Sequence, residues 1–299
     1  MSQPWRGIFP IIATPFTKGY ELDEASLRKT VHFCIEAGAH GLVGPANASE
    51  FATLSDDERK RWIEIVVGEA GGKVPVVAST TSAHAVPAVA LSRHAQHIGA
   101  DGITAMPPHI LHPDEAGCYE YYEAISSAVD VPVCIQNHIG PVGTPMTTEL
   151  MARMCHELPG VEYIKEETPP EPRQISAAIM AAGDACKGVF GGQGGLYLVD
   201  EYGRGAAGNM PGCHITDALV AVWGLLEARQ ETEARIMLSQ LLPLMSYERL
   251  HGVGVYKQTL HRRGIVATPL CRAAGRELDE KHTAELDAIQ ANIGPLMGL

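Results

Sequence analysis

Eight short apolar runs alternate with longer amphipathic stretches along the 299-residue chain, and this alternation constrains the fold more than any other feature. Strands that alternate with helices predict a parallel sheet built from βα units. Eight such units predict an α/β fold of the closed (β/α)8 type, a TIM barrel with its helices outside. The predicted strands cover residues 7–16, 40–46, 74–80, 101–108, 131–138, 161–168, 187–192 and 205–212.

Three further helical patterns follow the eighth unit, near residues 231–249, 252–263 and 276–297. A barrel of eight units does not need them, so we expect a C-terminal helical extension that packs against the barrel. No Pro/Ser-rich linker or low-complexity segment separates the two parts. We therefore predict one continuous structural unit, with the barrel in residues 1–228 and the extension in residues 229–299.

Composition argues against several classes of partner. The formal net charge of −12 repels phosphate backbones and anionic lipid, and the basic residues are scattered, so we expect neither nucleic acid nor a membrane as a partner. No apolar run reaches the roughly 18 residues that a membrane helix requires. The N-terminus, MSQPWRGIFP, lacks the pattern of an export signal. Seven cysteines without a C-x-x-C spacing indicate reduced thiols, so we expect a cytoplasmic protein.

A lysine occupies the sixth predicted strand, within the segment GVEYIKEE at residues 160–167. Lys165 is the only one of eight lysines that lies well inside a predicted strand after apolar neighbours. Because side chains alternate along a strand, Val161, Tyr163 and Lys165 are predicted to share one face. Active sites of such barrels form at the C-terminal ends of the strands, which makes Lys165 a candidate catalytic residue.

Two interpretations of Lys165 follow from its position. Burial of an ammonium group is costly and favours the neutral amine, which attacks ketones and forms a Schiff base. With a 2-oxo acid, the protonated imine withdraws electrons, so that C3 loses a proton or a C–C bond breaks. The alternative is a structural lysine that pairs with Glu166 or Glu167.

A second candidate segment, GPANASEFATLSDDER at residues 44–59, follows the second predicted strand. Small and hydroxyl residues before a helix present backbone N–H groups, together with the Ser49 hydroxyl, to an anion such as a carboxylate. The alternative is ordinary turn and capping chemistry.

The order and spacing of several motifs resemble the dihydrodipicolinate synthase/N-acetylneuraminate lyase family. The motifs are GIFPIIATPF, GLVGPANASEFATLSDDER, VPVCIQNHIGPVG, GVEYIKEE and GGQGG followed by GRGAAGNM, and together they span nearly the whole chain. The resemblance implies a class I lyase on a (β/α)8 barrel with a helical extension, assembled as a homo-oligomer, either a dimer or a tetramer built from dimers. It implies that Lys165 forms the imine, that Ala48 and Ser49 hold the substrate carboxylate, and that no separate cofactor or metal takes part.

The chain departs from the family pattern at several positions. Gln136 stands where the aldolases and synthases of the family usually carry a tyrosine proton shuttle, and a carboxamide cannot relay a proton as a phenol does. Asn47 replaces the relay threonine, Pro108 and His109 replace paired tyrosines, and Pro141 replaces the arginine that binds the second substrate of the synthases. These differences argue against dihydrodipicolinate synthesis and weaken the case for retro-aldol cleavage.

The pattern that remains is most similar to the dehydratases of 2-keto-3-deoxy sugar acids, such as the 2-keto-3-deoxyarabonate enzyme. The resemblance implies dehydration through an imine, with the acid and base drawn from His109, His138 or Glu167. The expected site comprises catalytic Lys165, Gln136 and His138, and substrate-binding Asn47, Ala48, Ser49, His109, Asn137, Gly192 and Met210.

Alternatives remain open at this point. The same family contains pyruvate-dependent aldolases and deaminating lyases. A protein that binds a sugar acid without catalysis is an alternative from another functional class. His94 and His97, three apart on a predicted outer helix, do not predict a metal site, because no further ligand lies at suitable spacing. Near the C-terminus, Tyr247, Arg249, His251 and Lys257 are expected at an intersubunit contact or on the surface, with contact to the substrate tail as the alternative.

Overall fold

Eight parallel strands form one sheet in the computed structural model, which describes residues 4–140 and 143–297. The sheet order is β1-β8-β7-β6-β5-β4-β3-β2, and a parallel bridge between Ile11 and Val43 closes the ring between β1 and β2. The (β/α)8 barrel predicted from the sequence is therefore confirmed. The strands are β1 Gly7–Ile8, β2 Leu42–Gly44, β3 Val76–Ser79, β4 Gly102–Ala105, β5 Val133–Asn137, β6 Val161–Glu166, β7 Gly188–Gly191 and β8 Gly208–Asn209.

A helix follows each strand and covers the outside of the barrel. Ser55 begins α2 with a capping box, since its hydroxyl accepts from Glu58 N and the Glu58 carboxylate accepts from Ser55 N. The barrel helices are α1 Glu24–Glu36, α2 Asp56–Ala70, α3 Ala85–His97, α4 Glu115–Ser126, α5 Thr148–Glu157, α6 Glu171–Ala182, α7 Leu198–Gly203 and α8 Thr216–Glu227. Among the described residues, no helix combines the length and apolar character that a membrane crossing requires.

Three more helices form the C-terminal extension, as expected: α9 Glu231–His251, α10 Val253–Arg262 and α11 Glu280–Met297. Their apolar side chains share a core with the barrel, where Leu241 and Leu244 of α9 pack with Leu219 and Trp223 of α8. The extension thus packs against α8 on the outside of the barrel, and it lies next to the carboxyl ends of the strands.

The strands are shorter than the apolar runs that predicted them. The first run covers residues 7–16, yet its ladder ends at Ile8, and the residues that follow are buried loop. Pro10 lacks the N–H that a ladder needs, which explains the early end of the strand before the isolated bridge at Ile11. Apolar character continues because these loops are buried at the top of the barrel.

The sixth strand carries a register irregularity that corrects one prediction. Val133 pairs with Val161 and Cys134 pairs with Tyr163, so Glu162 is an extra residue in the ladder. As a result Val161 packs in the outer core, whereas Tyr163 packs among the side chains inside the barrel. Val161 therefore does not share the face of Tyr163 and Lys165, and regular alternation begins only after the bulge.

Candidate active site

A cavity of about 590 Å³ opens at the carboxyl ends of the strands, between the barrel and the C-terminal extension. This is the end of a (β/α)8 barrel at which active sites form. The barrel contributes Asn47, Ala48, Glu50, Gln136, His138, Lys165, Glu167 and Met210 to its wall, and the extension contributes Glu248, Arg249, Gly252, Tyr256 and Arg276.

Lys165 lies at the floor of this cavity with only 2% of its surface exposed. Its Nζ is 3.1 Å from Glu167 Oε2, in an ion pair that is nearly closed to solvent. Gln136, the ladder partner of Lys165 on β5, donates from Nε2 to the same oxygen at 2.7 Å. His138 Nδ1 lies 3.7 Å from it. Three side chains, on β6, on β5 and directly after β5, therefore converge on one carboxylate oxygen.

The environment of Glu167 keeps its carboxylate ionised. Burial alone raises the pKa of a carboxyl group, but the charges of Lys165 and His138 and the hydrogen bond from Gln136 outweigh it and lower the pKa of Glu167 below its ordinary value. Burial lowers the pKa of His138, and the nearby Glu167 only partly opposes that shift. At neutral pH Glu167 is therefore a carboxylate that can accept a proton, and it lies next to Lys165.

The segment after β2 presents two backbone donors to the cavity. Asn47–Ser49 form a short 3-10 helix, and the N–H groups of Asn47 and Ala48 find no acceptor among the described residues. Ser49 differs from them, because its hydroxyl donates to Ile12 O at 2.6 Å and accepts from Ala46 N at 3.0 Å. The Ser49 hydroxyl therefore fixes the loop and does not face the cavity.

Three other residues expected at the site lie behind its wall. Asn137 donates to Glu166 Oε2 at 2.9 Å and exchanges hydrogen bonds with the backbone of Met146, so it anchors the loop after β5. A Cβ at Gly192 would lie 2.3 Å from Glu167 Oε1, so only glycine leaves room for that carboxylate. His109 packs edge-on against Phe51, with ring centroids 5.4 Å apart.

The extension supplies a wall that strand-by-strand reasoning missed. Glu248 and Tyr256 face the cavity from α9 and α10, and the Tyr256 hydroxyl donates to Glu248 Oε1 at 2.7 Å. His214, which follows β8, has its Nε2 3.3 Å from Glu248 Oε2. Arg249 is exposed, in agreement with the expected surface position, and it also lines this cavity, which the alternative of contact to the substrate tail requires. The helices α9 and α10 lie far along the chain from the strands of the site. The sequence therefore gives no signal that they form part of the cavity wall.

Lys257 corrects the expectation of a surface position. Its side chain is 1% exposed, and its ammonium pairs with Glu50 and donates to Leu270 O at 2.8 Å. Glu50 also accepts from Ala273 N at 2.7 Å. Lys257 therefore joins α10 to the loop after β2 and holds the extension on the barrel.

A buried pair of carboxyl groups lies behind the seventh and eighth strands. Glu171 accepts from Gly192 N at 2.8 Å, and Glu201 accepts from Asn209 Nδ2 at 2.9 Å. The remaining oxygen of each, Glu171 Oε2 and Glu201 Oε1, has no other partner among the described residues. Burial and the neighbouring Glu201 raise the pKa of Glu171 to about 9, and burial raises the pKa of Glu201 to about 7. The two groups share a proton near neutral pH.

We expect this pair to make the protein less stable as the pH rises. Both folded-state pKa values lie above the unfolded value, so the pair's contribution is full below about pH 4.5 and is lost as the pH rises through about 7 to 9. Glu201→Gln donates to Glu171 and still accepts from Asn209, so it should raise the free energy of unfolding at pH 9 by about 1–3 kcal/mol. Urea unfolding at pH 5 and pH 9 measures this. The exposed Glu120→Gln is the control, and equal pH slopes in Glu201→Gln and wild type would contradict the shared proton.

The part of the chain that the structure describes contains no cluster of side chains suited to bind a metal ion. No group of three or more His, Cys, Asp or Glu side chains is arranged there to hold an ion. His94, one of the two spaced histidines, instead has its Nε2 3.4 Å from Glu64 Oε1 on the outer helices. Pro141, which replaces an arginine of the synthases, lies outside the described residues.

Known proteins resemble this chain over most of its length. Residues 4–292 match the Dihydrodipicolinate synthetase family. L-2-keto-3-deoxyarabonate dehydratase of Azospirillum brasilense is 32% identical over 296 residues, which are 98% of this chain and 96% of that enzyme. 4-Hydroxy-tetrahydrodipicolinate synthase of Methylobacterium radiotolerans is 37% identical over 180 residues, which are 60% of this chain and 59% of that enzyme.

Solved structures share the fold. A prophage protein of the dihydrodipicolinic acid synthase family from E. coli K12, solved in complex with pyruvate, superposes with a TM-score of 0.91 at 24% identity, over 97% of this chain and 99% of that one. Dihydrodipicolinate synthase from Thermotoga maritima gives 0.90 at 24% identity, over 98% and 99%. The resemblance inferred from the motifs is thus confirmed, and the chain belongs to the Dihydrodipicolinate synthetase family, whose members are lyases.

Proposed function

We propose that the chain is a Schiff-base lyase that dehydrates a 2-keto-3-deoxy sugar acid. The observation that carries this proposal is the Lys165 amine 3.1 Å from the Glu167 carboxylate, both buried at the floor of a cavity at the strand ends. The similarity to L-2-keto-3-deoxyarabonate dehydratase over 98% of the chain supports the choice of reaction, although the synthases are also relatives.

Substrate binding begins at the segment after β2. The unused N–H groups of Asn47 and Ala48 would hold the substrate carboxylate, so that the 2-oxo carbon reaches Lys165 across the cavity. Met210 bounds this end of the cavity with apolar surface. The Asn47 side chain, whose Nδ2 lies 3.7 Å from Met106 Sδ, remains close enough to contact a hydroxyl of the substrate.

Imine formation requires Lys165 to lose one proton, and Glu167 is in contact to accept it. The neutral amine attacks C2 and forms a carbinolamine. Glu167 then returns a proton to the carbinolamine hydroxyl, which leaves as water and yields the protonated imine. The imine supplies the electron sink, so the reaction as proposed uses no separate cofactor.

Elimination follows at C3 and C4. Glu167 accepts a C3 proton and the electron pair forms an enamine, which then expels the C4 hydroxyl. The proton on Glu167 passes to that hydroxyl, so that water leaves and an unsaturated imine remains for hydrolysis. Gln136 cannot relay protons, but its hydrogen bond to Glu167 Oε2 orients the carboxylate for both transfers. His138, near the same oxygen, stabilises the Glu167 carboxylate before it accepts the C3 proton and after it has released that proton.

A product assay tests this function. With 2-keto-3-deoxyarabonate and related 2-keto-3-deoxy acids, we expect a product that keeps every carbon of the substrate and differs from it by one water. Release of pyruvate would assign aldol cleavage instead, and release of ammonia from a cyclic imino acid would assign a deaminating lyase. If borohydride in the presence of pyruvate leaves no adduct on Lys165, the non-catalytic sugar-acid-binding alternative replaces the enzyme.

The proposal also includes the cellular location and the oligomeric state of the protein. A cytoplasmic homo-oligomer, either a dimer or a tetramer, fits the family resemblance and the exposed apolar side chains of Ile110 and Leu111 between β4 and α4 and of Ile139 at the cavity. The reduced state proposed for the chain fits the seven cysteines, which are all unbridged.

A further inference from the structure

Two arginines on the extension side of the cavity have no anionic partner. Other charged side chains in the wall are matched: Lys165 with Glu167, Glu50 with Lys257, and Glu248 with Tyr256 and His214. Arg249 and Arg276 line the same cavity, and neither pairs with a carboxylate in residues 4–140 and 143–297. In a chain of net charge −12, two exposed guanidinium groups without a carboxylate partner among the described residues therefore line this cavity.

Arg249 is held in position by a contact that leaves most of its donors unused. Gln193 accepts from Arg249 Nη1 through its Oε1 and donates from Nε2 to Glu167 O at 3.1 Å. Gln193 adopts a left-handed backbone with φ +49° to reach both partners. A guanidinium carries five N–H donors, so the Gln193 contact fixes the group and leaves a fork that matches a carboxylate or a phosphate.

Arg276 lies against the corner between α9 and α10. Gly252 forms this corner with φ 63° and ψ −133°, a conformation that belongs almost entirely to glycine. A Cβ at this position would lie 3.5 Å from Arg276 Nη1. Gly252 itself lines the cavity, so the guanidinium of Arg276 is beside the opening. Both arginines thus flank one corner of the extension and line the cavity whose floor carries Lys165.

We propose that the substrate carries a second anionic group, a carboxylate or a phosphate, at the end opposite its 2-oxo acid, and that Arg249 and Arg276 bind that group. The inference rests on the proposed function, because Lys165 must hold the 2-oxo end. It narrows the substrate class from 2-keto-3-deoxy sugar acids in general to those with a charged far end. Bidentate contacts from a guanidinium fork give this recognition both affinity and orientation.

Borohydride trapping on Lys165 measures this preference directly. We expect 2-oxoadipate to half-saturate adduct formation at a concentration at least tenfold below that of 2-oxohexanoate, which has the same chain length and no second carboxylate. A second arm compares 2-keto-3-deoxy-6-phosphogluconate with 2-keto-3-deoxygluconate and tells a phosphate end from a carboxylate end. The preference should shrink as salt is added, since it arises from charge.

Variants assign the preference to the two arginines. In Arg249→Gln/Arg276→Gln the tenfold preference should disappear, while the concentration of pyruvate that half-saturates trapping stays unchanged. Arg93→Gln, an exposed arginine on α3, removes one charge elsewhere and should keep the preference. Equal trapping of paired mono- and dianionic acids by the wild type in both arms, or a preference that survives in the double variant, overturns the inference. If no 2-oxo acid, pyruvate included, forms an adduct with the wild type, the proposed function fails and the inference fails with it.

Discussion

Replacement of Lys165 by methionine is expected to abolish turnover and to remove the borohydride-stable adduct with pyruvate. Methionine fills a similar volume in the buried site but has no amine, so C2 of the substrate gains no electron sink. We expect a loss of kcat on the order of 10⁴- to 10⁶-fold, the scale seen when a covalent nucleophile is removed. Intact-protein mass spectrometry after reduction measures the adduct, and a coupled product assay measures the rate.

Lys187→Met is the matched control for this experiment. Lys187 is half exposed, pairs with Glu162 at 2.6 Å and lies just before β7, away from the cavity. This variant should keep both the adduct and the rate. Retained turnover in Lys165→Met with a folded protein, checked by circular dichroism, would rule out the imine mechanism.

Glu167→Gln is expected to separate imine formation from proton transfer. The amide keeps the shape of the carboxylate but accepts no proton, so the C3 proton should be removed about 10²- to 10⁴-fold more slowly. The Lys165 amine remains, and pyruvate should still give a reducible adduct at saturating concentration. Exchange of the pyruvate methyl protons with D2O, followed by NMR, reports C3 proton removal without the need for the natural substrate.

Two comparisons make the Glu167 experiment decisive. Glu162→Gln changes a partly exposed carboxylate at the other end of β6 and should leave the exchange rate unchanged. If Glu167→Gln exchanges methyl protons as fast as the wild type, the base is another group, and His138→Gln is the next variant to test. Loss of the adduct together with loss of exchange would show that the proton transfers of imine formation, which the mechanism also assigns to Glu167, do not proceed without its carboxylate.

The fold could be predicted from the sequence because each βα unit is a local pattern. Apolar runs and capping signals, such as Ser55 and Glu58 before α2, lie within one unit and are readable one at a time. Lys165 was accessible by the same route, as a charged residue in an otherwise apolar strand. The face of Val161 was not accessible in this way, since one extra residue in the ladder with β5 decides it and only the strand pairing reveals that residue.

The site was only partly predictable because tertiary contacts decide which polar groups remain unused. Ser49 has the residue type of an anion ligand, yet Ile12 O and Ala46 N occupy its hydroxyl. Asn137 is likewise occupied by Glu166 and the Met146 backbone. The arginines of the extension lie more than 80 residues after Lys165 in the chain, and no spacing rule joins them to it.

The seam between barrel and extension runs through the cavity, and this arrangement divides the enzyme's tasks between two parts of one chain. In the proposed mechanism, residues on or just after β5 and β6 carry out the covalent steps, while the turn at Gly252 and the helices on either side of it select the substrate. Evolution can therefore change the C-terminal helices so that they admit a new substrate, without any change in the residues that react with it. Exchange of α9 and α10 between relatives should move substrate preference with the donor of those helices.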